Sequence, residues 1–202
     1  MKPDDCHIAT AELAAGASPC AKSKRGVALF DPDTGAHRGD GHNGPPAGAP
    51  CPGRAVCGDR CGKLCVHAEM RALREMWAYA TNGHWCTGLH LVHVKLGPDG
   101  RVTPGGPPSC WQCSREILDV GFVVGVWLYE RTWATCRADA GCPYCDGEAC
   151  TECELAAACG NRREFCDPRH EPHYGLRSAE PRWRYYPAAD FHAVTLRNAR
   201  LA

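Results

Sequence analysis

The sequence predicts an α/β sandwich. Three observations lead there. Segments of helical periodicity alternate with short apolar runs, in the order helix, hairpin, helix, strand, helix, strand, insertion, strand, helix. The run at residues 123–129 is nearly all apolar, as expected of a strand buried on both faces. Strong turn chemistry punctuates the segments, as in Asp31-Pro32-Asp33-Thr34-Gly35 and Gly97-Pro98-Asp99-Gly100.

Taken in order, residues 4–16 are Ala-rich and form a first helix ending near Gly16. Residues 24–30 form a strand, and after the turn at 31–35 the chain returns as a second strand over 36–42. Asn43-Gly44-Pro45-Pro46 opens a loop, and residues 44–54 are rich in Gly and Pro. A helix starts at His67. Ala68, Ala72, Leu73, Met76 and Ala80 keep its spacing, and Asn82-Gly83 ends it. Residues 89–96 are a strand. Residues 110–119 are a helix with Gly121 as its stop, and 123–129 follow as a central strand. Order is lost over 136–173 and returns at 183–186, an edge strand. Residues 187–198 close the chain as a helix, with Pro187 at its start and Phe191, Val194 and Leu196 apolar.

The chain has 202 residues, enough for one domain with an insertion. Acidic and basic residues balance at 23 each, so no global basic field draws in long nucleic acids. No run of 18 apolar residues occurs, and no membrane span is expected. The start, Met1-Lys2-Pro3-Asp4-Asp5, lacks a signal-peptide layout, so a cytoplasmic location is expected. Sixteen cysteines in a reducing compartment read as metal ligands rather than disulfides.

The chemistry concentrates in two motifs, His67-Ala68-Glu69 and Pro108-Ser109-Cys110-Trp111-Gln112-Cys113. They supply one imidazole, two thiolates and a carboxylate that need not be a ligand. This is the inventory of a zinc site with an open fourth position and a proton shuttle beside it. Cys110 and Cys113 fall at a helix start, where both thiols can point the same way and the helix end favours their thiolates. The alternative is a structural zinc closed by Cys65 or Cys61. Glu69 alone would read as a surface carboxylate in a first helical turn.

These residues resemble the cytidine deaminase-like superfamily, and within it the deoxycytidylate deaminase branch. The resemblance lies in Gly41-His42-Asn43-Gly44-Pro45-Pro46, in Cys65-Val66-His67-Ala68-Glu69-Met70-Arg71-Ala72 and in Ser109-Cys110-Trp111-Gln112-Cys113, and it covers roughly residues 20–130. It implies a three-layer α/β/α fold with a mixed five-stranded sheet. It implies a catalytic zinc on His67, Cys110 and Cys113, with Glu69 as acid/base. Asn43 would contact the sugar of a nucleotide, although an Asn-Gly turn residue is the plainer reading. Ala68 would give a backbone contact to the base. Water activated by the metal would attack the carbon bearing the amino group, and ammonia would leave. The chain departs from the family motif in having Ser109 where Pro usually precedes the first cysteine, and in the extra turn at 97–100.

Cys51, Cys57, Cys61 and Cys65 precede the His67 motif, the last three spaced by four, and are candidates for a structural metal. Buried free cysteines are the alternative. Residues 136–173 hold seven cysteines and two histidines. Cys142, Cys145, Cys150 and Cys153 form two CxxC pairs of zinc-knuckle type. A segment with so few apolar residues would need metal as its staple. An iron–sulfur cluster and a disordered loop are the alternatives. The domain plan is therefore a deaminase core at 1–135, a cysteine-rich, zinc-binding insertion at 136–176, and a closing strand and helix of the core at 177–202.

A nucleoside or nucleotide is the expected substrate, given the neutral charge and the Asn43 motif. Two competing functions remain. One is deamination of cytosine or adenine in single-stranded DNA or RNA, with Trp183, Tyr185 and Tyr186 beside Arg182 and Arg184 as a stacking surface. The other is a zinc-stabilised binding module without turnover. Relatives acting on small nucleotides often assemble into multimers, so a homo-oligomer is a candidate state.

Overall fold

The computed structural model describes residues 2–46, 49–51, 53, 65–81, 86–105, 110–130, 133–136, 173–176 and 181–199. The chain divides into two compact units, Met1–Glu130 with Trp183–Ala202, and Arg131–Arg182. In the first unit the order is α1 (Asp5–Gly16), β1 (Lys24–Phe30), β2 (His37–His42), α2 (Ala68–Thr81), β3 (Leu89–Leu96), α3 (Trp111–Val120) and β4 (Val123–Glu130). The second unit holds β5 (Trp133–Cys136) and β6 (His173–Leu176), an antiparallel pair. The sequence reading has no counterpart for that pair, because neither segment alternates clearly. β7 (Arg182–Pro187) and α4 (Ala188–Asn198) follow.

Five strands make a mixed sheet in the order β2-β1-β3-β4-β7. β1 is antiparallel to both β2 and β3, and β3 is parallel to β4. That parallel step needs a crossover, and α3 supplies it. Gly121 ends α3 at φ 67°, the left-handed conformation that glycine adopts without penalty. β7 lies at the sheet edge and β4 in the interior, as their apolar patterns anticipate.

The sheet is covered on both faces, giving the α/β/α layering. On one face Ala11 and Ala15 of α1 pack with Ala28, Val92, Val94 and Trp127. On the other, Ala68, Ala72, Leu73, Met76 and Ala80 of α2 join Ile117 of α3 and Phe191 of α4 over Val27, Leu29, Leu91 and Val126. The α2 residues with helical spacing are therefore the ones that bury. Among the described residues no helix is long and apolar enough to cross a membrane.

Close approach of helix to sheet depends on glycine. A Cβ on Gly41 of β2 would lie 2.5 Å from the Ala68 carbonyl oxygen and 2.6 Å from the Ala72 nitrogen. Both are backbone atoms that cannot swing away. A Cβ on Gly39 of the same strand would meet the Ala72 oxygen at 3.5 Å, an ordinary contact. Gly41→Ala is therefore expected to destabilise by ~3 kcal/mol, the upper end of overpacking costs, and Gly39→Ala by much less. Urea unfolding of the two variants checks this; equal losses would refute the close-packing account.

Candidate metal centre

Two helix starts meet over the C-terminal ends of β3 and β4. His67 immediately precedes α2, and its carbonyl accepts the Arg71 N–H at 3.2 Å. Cys110 is the N-cap of α3, and Cys113 sits three residues on, inside the first turn. Side chains at these two positions converge on the end of the helix where N–H groups lack intrahelical partners. His67 Nδ1 is 3.1 Å from Cys110 Sγ and 3.2 Å from Cys113 Sγ, and the two sulfurs are 3.2 Å apart.

These distances allow a test of metal fit. A tetrahedral zinc with Zn–N of ~2.0 Å and Zn–S of ~2.3 Å sets donor–donor edges of roughly 3.5–3.8 Å. The triangle is slightly tighter and has the same shape. One imidazole nitrogen and two thiols are also the donor set that zinc prefers. The residues fit the ion. Among the described residues the metal-competent group comprises His67, Cys110 and Cys113.

The mixed five-stranded sheet with helices on both faces is the fold class that the sequence resemblance implies. Solved structures similar to the chain include a dCMP deaminase from the cyanophage S-TIM5. Its apo form is 25% identical with TM-score 0.42, covering 60% of this chain and 79% of that one. Its complex with dCMP and dUMP is 27% identical with TM-score 0.45, covering 62% and 81%. A cytidine deaminase from Burkholderia pseudomallei is 22% identical with TM-score 0.41, covering 62% and 84%. No family model matches the chain, and no curated protein matches it.

A cavity of about 400 Å³ opens beside the triad. That lies within the usual range for small-molecule sites. Ala68, Glu69 and Asn43 line it together with His67 and Cys110. Glu69 stands outside the ligand triangle. Burial works to raise its carboxyl, but the neighbouring His93 and His67 imidazoles, a backbone hydrogen bond and Arg25 together outweigh burial, and the net shift is downward. The glutamate is held as an anion. The His67 imidazole is raised, chiefly by its hydrogen bond with Cys110. The Cys110 thiol is lowered, first by the hydrogen bond with Cys113 and then by the one with His67, while Cys113 is pushed up as the pair shares a proton.

Asn43 is 8% exposed and largely engaged. Its Oδ1 accepts the Arg25 N–H at 2.8 Å and the Ser18 hydroxyl at 2.9 Å, and its Nδ2 donates to the Ser23 carbonyl at 2.8 Å. One Nδ2 hydrogen remains for another acceptor. Arg71 donates to the Gly44 and Pro45 carbonyls, so α2 grips the loop that carries Asn43. Cys65 lines the cavity, and Cys51 is partly exposed. The Ala21 and Gly53 N–H groups hold the Cys51 thiol below its ordinary value. Cys57, Cys61, Cys142, Cys145, Cys150 and Cys153 lie outside the described residues.

The cavity also holds residues that the motifs do not point to: Lys22, Arg25, His93, Lys95, Glu130 and Phe191. Glu130 is 1% exposed and accepts the Tyr186 hydroxyl at 2.5 Å. His93 and Lys95 had a legible signal. They are polar residues two apart in the strand Leu89–Leu96, so they share one face. The extra turn at 97–100 is present, closed by the Gly97 N–H on the Arg101 carbonyl at 2.8 Å. Beyond it the chain lies along the end of β4, where the Gly105 N–H meets the Tyr129 carbonyl at 2.8 Å and Gly105 lines the cavity.

His93 Nε2 is buried without a hydrogen-bond partner among the described residues. Burial pushes the imidazole down to about 4. An unfolded imidazole titrates near ~6.5. Between these values the unfolded chain binds the extra proton, so this group lowers stability as pH falls from ~6.5 to ~4. The penalty reaches at most ~3 kcal/mol. His93→Leu should flatten that part of the stability–pH curve in urea unfolding. An unchanged slope would show that water already reaches the ring.

Proposed function

We propose that the chain is a zinc-dependent hydrolytic deaminase that converts a cytosine-type base in a nucleoside or nucleotide to its uracil form with release of ammonia. The observation that carries this reading is the triad of His67, Cys110 and Cys113, two of whose members, His67 and Cys110, share a cavity with the separate carboxylate Glu69. A closed structural site would place a fourth ligand in the group; among the described residues Cys65 lines the cavity and is not a member of it.

Zinc, when bound, supplies a Lewis acid that lowers the pKa of a water molecule towards ~7. Glu69, held as an anion, accepts a proton from the attacking water at a carboxylate oxygen. It delivers that proton to the ring nitrogen beside the reacting carbon. It then takes the second proton of that water from the hydroxyl now on the carbon and passes it to the amino group, so that the C–N bond breaks, ammonia leaves and the C=O bond forms. In this reading the remaining Nδ2 hydrogen of Asn43 would go to a sugar hydroxyl and the Ala68 backbone would contact the base; both residues line the cavity. Three cations, Lys22, Arg25 and Lys95, line a cavity in a chain of zero formal charge. Their presence favours a substrate carrying phosphate, such as dCMP, over a free nucleoside. The thiol ligands require a reducing compartment, in keeping with the cytoplasm.

Ammonia release by zinc-loaded protein tests this across cytidine, deoxycytidine, their monophosphates, adenosine, guanine, and cytosine-containing single-stranded DNA and RNA. Turnover of a monophosphate above its nucleoside is expected. Turnover only on the polynucleotides would replace the small-substrate reading. No turnover with zinc fully bound would favour the binding module.

A further inference from the structure

The turn that carries both thiols is clamped from α4, some eighty residues further along the chain. Ser114 follows Cys113 directly and is fully buried. Its N–H bonds the Cys110 carbonyl at 3.1 Å, and its hydroxyl bonds the Trp111 carbonyl at 3.0 Å. One residue thus closes the Cys110–Cys113 turn twice. The same hydroxyl lies 2.9 Å from His192 Nδ1 and 2.5 Å from Thr195 Oγ1, both on α4. Thr195, also fully buried, bonds the His192 carbonyl at 2.8 Å.

Proton counting narrows the state of this cluster. Four close contacts share the single protons of Ser114 and Thr195. Two of the contacts end on carbonyls, which only accept. The cluster is fullest when His192 carries hydrogen on Nδ1 and donates it to Ser114. Nothing in the proposed chemistry uses these three residues, and Ser114 and Thr195 have no access to a substrate. Their effect can reach the site only through the turn that aims Cys110 and Cys113.

We propose that Ser114, His192 and Thr195 are positioning residues that lock the thiolate turn of α3 to the C-terminal helix and so set the affinity and geometry of the metal site. The proposal rests on the reading of His67, Cys110 and Cys113 as metal ligands. A hydroxyl without its partner in a buried site leaves an unsatisfied polar group, and the turn can rotate to relieve it. Loss of an outer partner of a metal ligand commonly costs 10–100-fold in metal affinity.

The test uses the full chain with cobalt and zinc. Thr195→Val removes the hydroxyl at nearly constant shape, and Thr195→Ser restores it; His192→Phe removes the ring donor. Metal affinity is read by competition with a chromophoric chelator, and ligand geometry by the visible cobalt spectrum. Thermal unfolding of the metal-free protein serves as the control for general destabilisation. The expected result is about tenfold weaker binding and an altered cobalt spectrum for Thr195→Val and His192→Phe, with Thr195→Ser close to wild type. Wild-type affinity and spectrum in both disruptive variants, with lowered thermal stability alone, would overturn the lock and leave the metal reading intact. Failure of the wild-type chain itself to bind cobalt would overturn the metal reading and the lock with it.

Discussion

Glu69→Gln is expected to lower turnover by ~10²–10⁴-fold, the span that a positioned general acid–base contributes. The side chain keeps its size, and the α2 start keeps its geometry, so folding and metal content should be unchanged. Only the ability to accept and return a proton is lost. Because Glu69 lines the cavity without joining the ligand triangle, its replacement should separate chemistry from metal binding. The measurement is steady-state ammonia release alongside metal content and substrate affinity. A variant that retains most of its activity would place the proton transfer on another group; Glu130, the second carboxylate in the cavity, would be the next to substitute. A variant that loses its metal would mean that Glu69 is a ligand, and the site would have no open position.

Cys113→Ala should abolish activity by a different route. Cys113 is 2% exposed and within 3.2 Å of both other donors. Structural zinc sites with four ligands gain ~10–16 kcal/mol in apparent binding energy, so one thiolate's share is ~3 kcal/mol. That corresponds to ~10²-fold weaker zinc binding at neutral pH, seen by chelator competition. Removal of zinc from the wild-type chain should likewise stop turnover, and added zinc should restore it. In Glu69→Gln the metal stays and the rate falls, whereas in Cys113→Ala the metal is lost first. Unaltered affinity in Cys113→Ala would remove that residue from the ligand set and reopen a role for Cys65.

Much of the architecture is written in local pattern. The α2 positions with helical spacing became its buried stripe, and Gly121 ended α3 because a left-handed cap was needed there. The turn at 31–35 also formed from its own side chains. Asp31 Oδ1 accepts the Asp33 and Thr34 N–H groups at 2.9 and 3.2 Å. Each of these features depends on residues within about one turn of one another, so the sequence is enough to read them. The β5 and β6 pair was not legible, since a pairing between residues 133–136 and 173–176 is settled by partner choice across a long separation.

At the site, the chemical inventory is legible in the residues alone: one imidazole, two thiols three residues apart at a helix start, and a carboxylate two residues past the histidine. Spacing fixes which side chains share a helix end, and donor type fixes which metal they suit. That the two helix starts face each other follows from the folded arrangement and not from either motif. His67 and Cys110 are 43 residues apart, and their contact exists because β3 and β4 run parallel and aim both helices at one end of the sheet. The same holds for the walls of the cavity. His93, Lys95 and Glu130 enter it because of the register of β3 and β4, and Ser114 meets Thr195 across 81 residues because α4 packs on α3. No periodicity encodes these meetings. They follow from strand order and from how the helices fill the space above the sheet, which depend on the packing of the whole core.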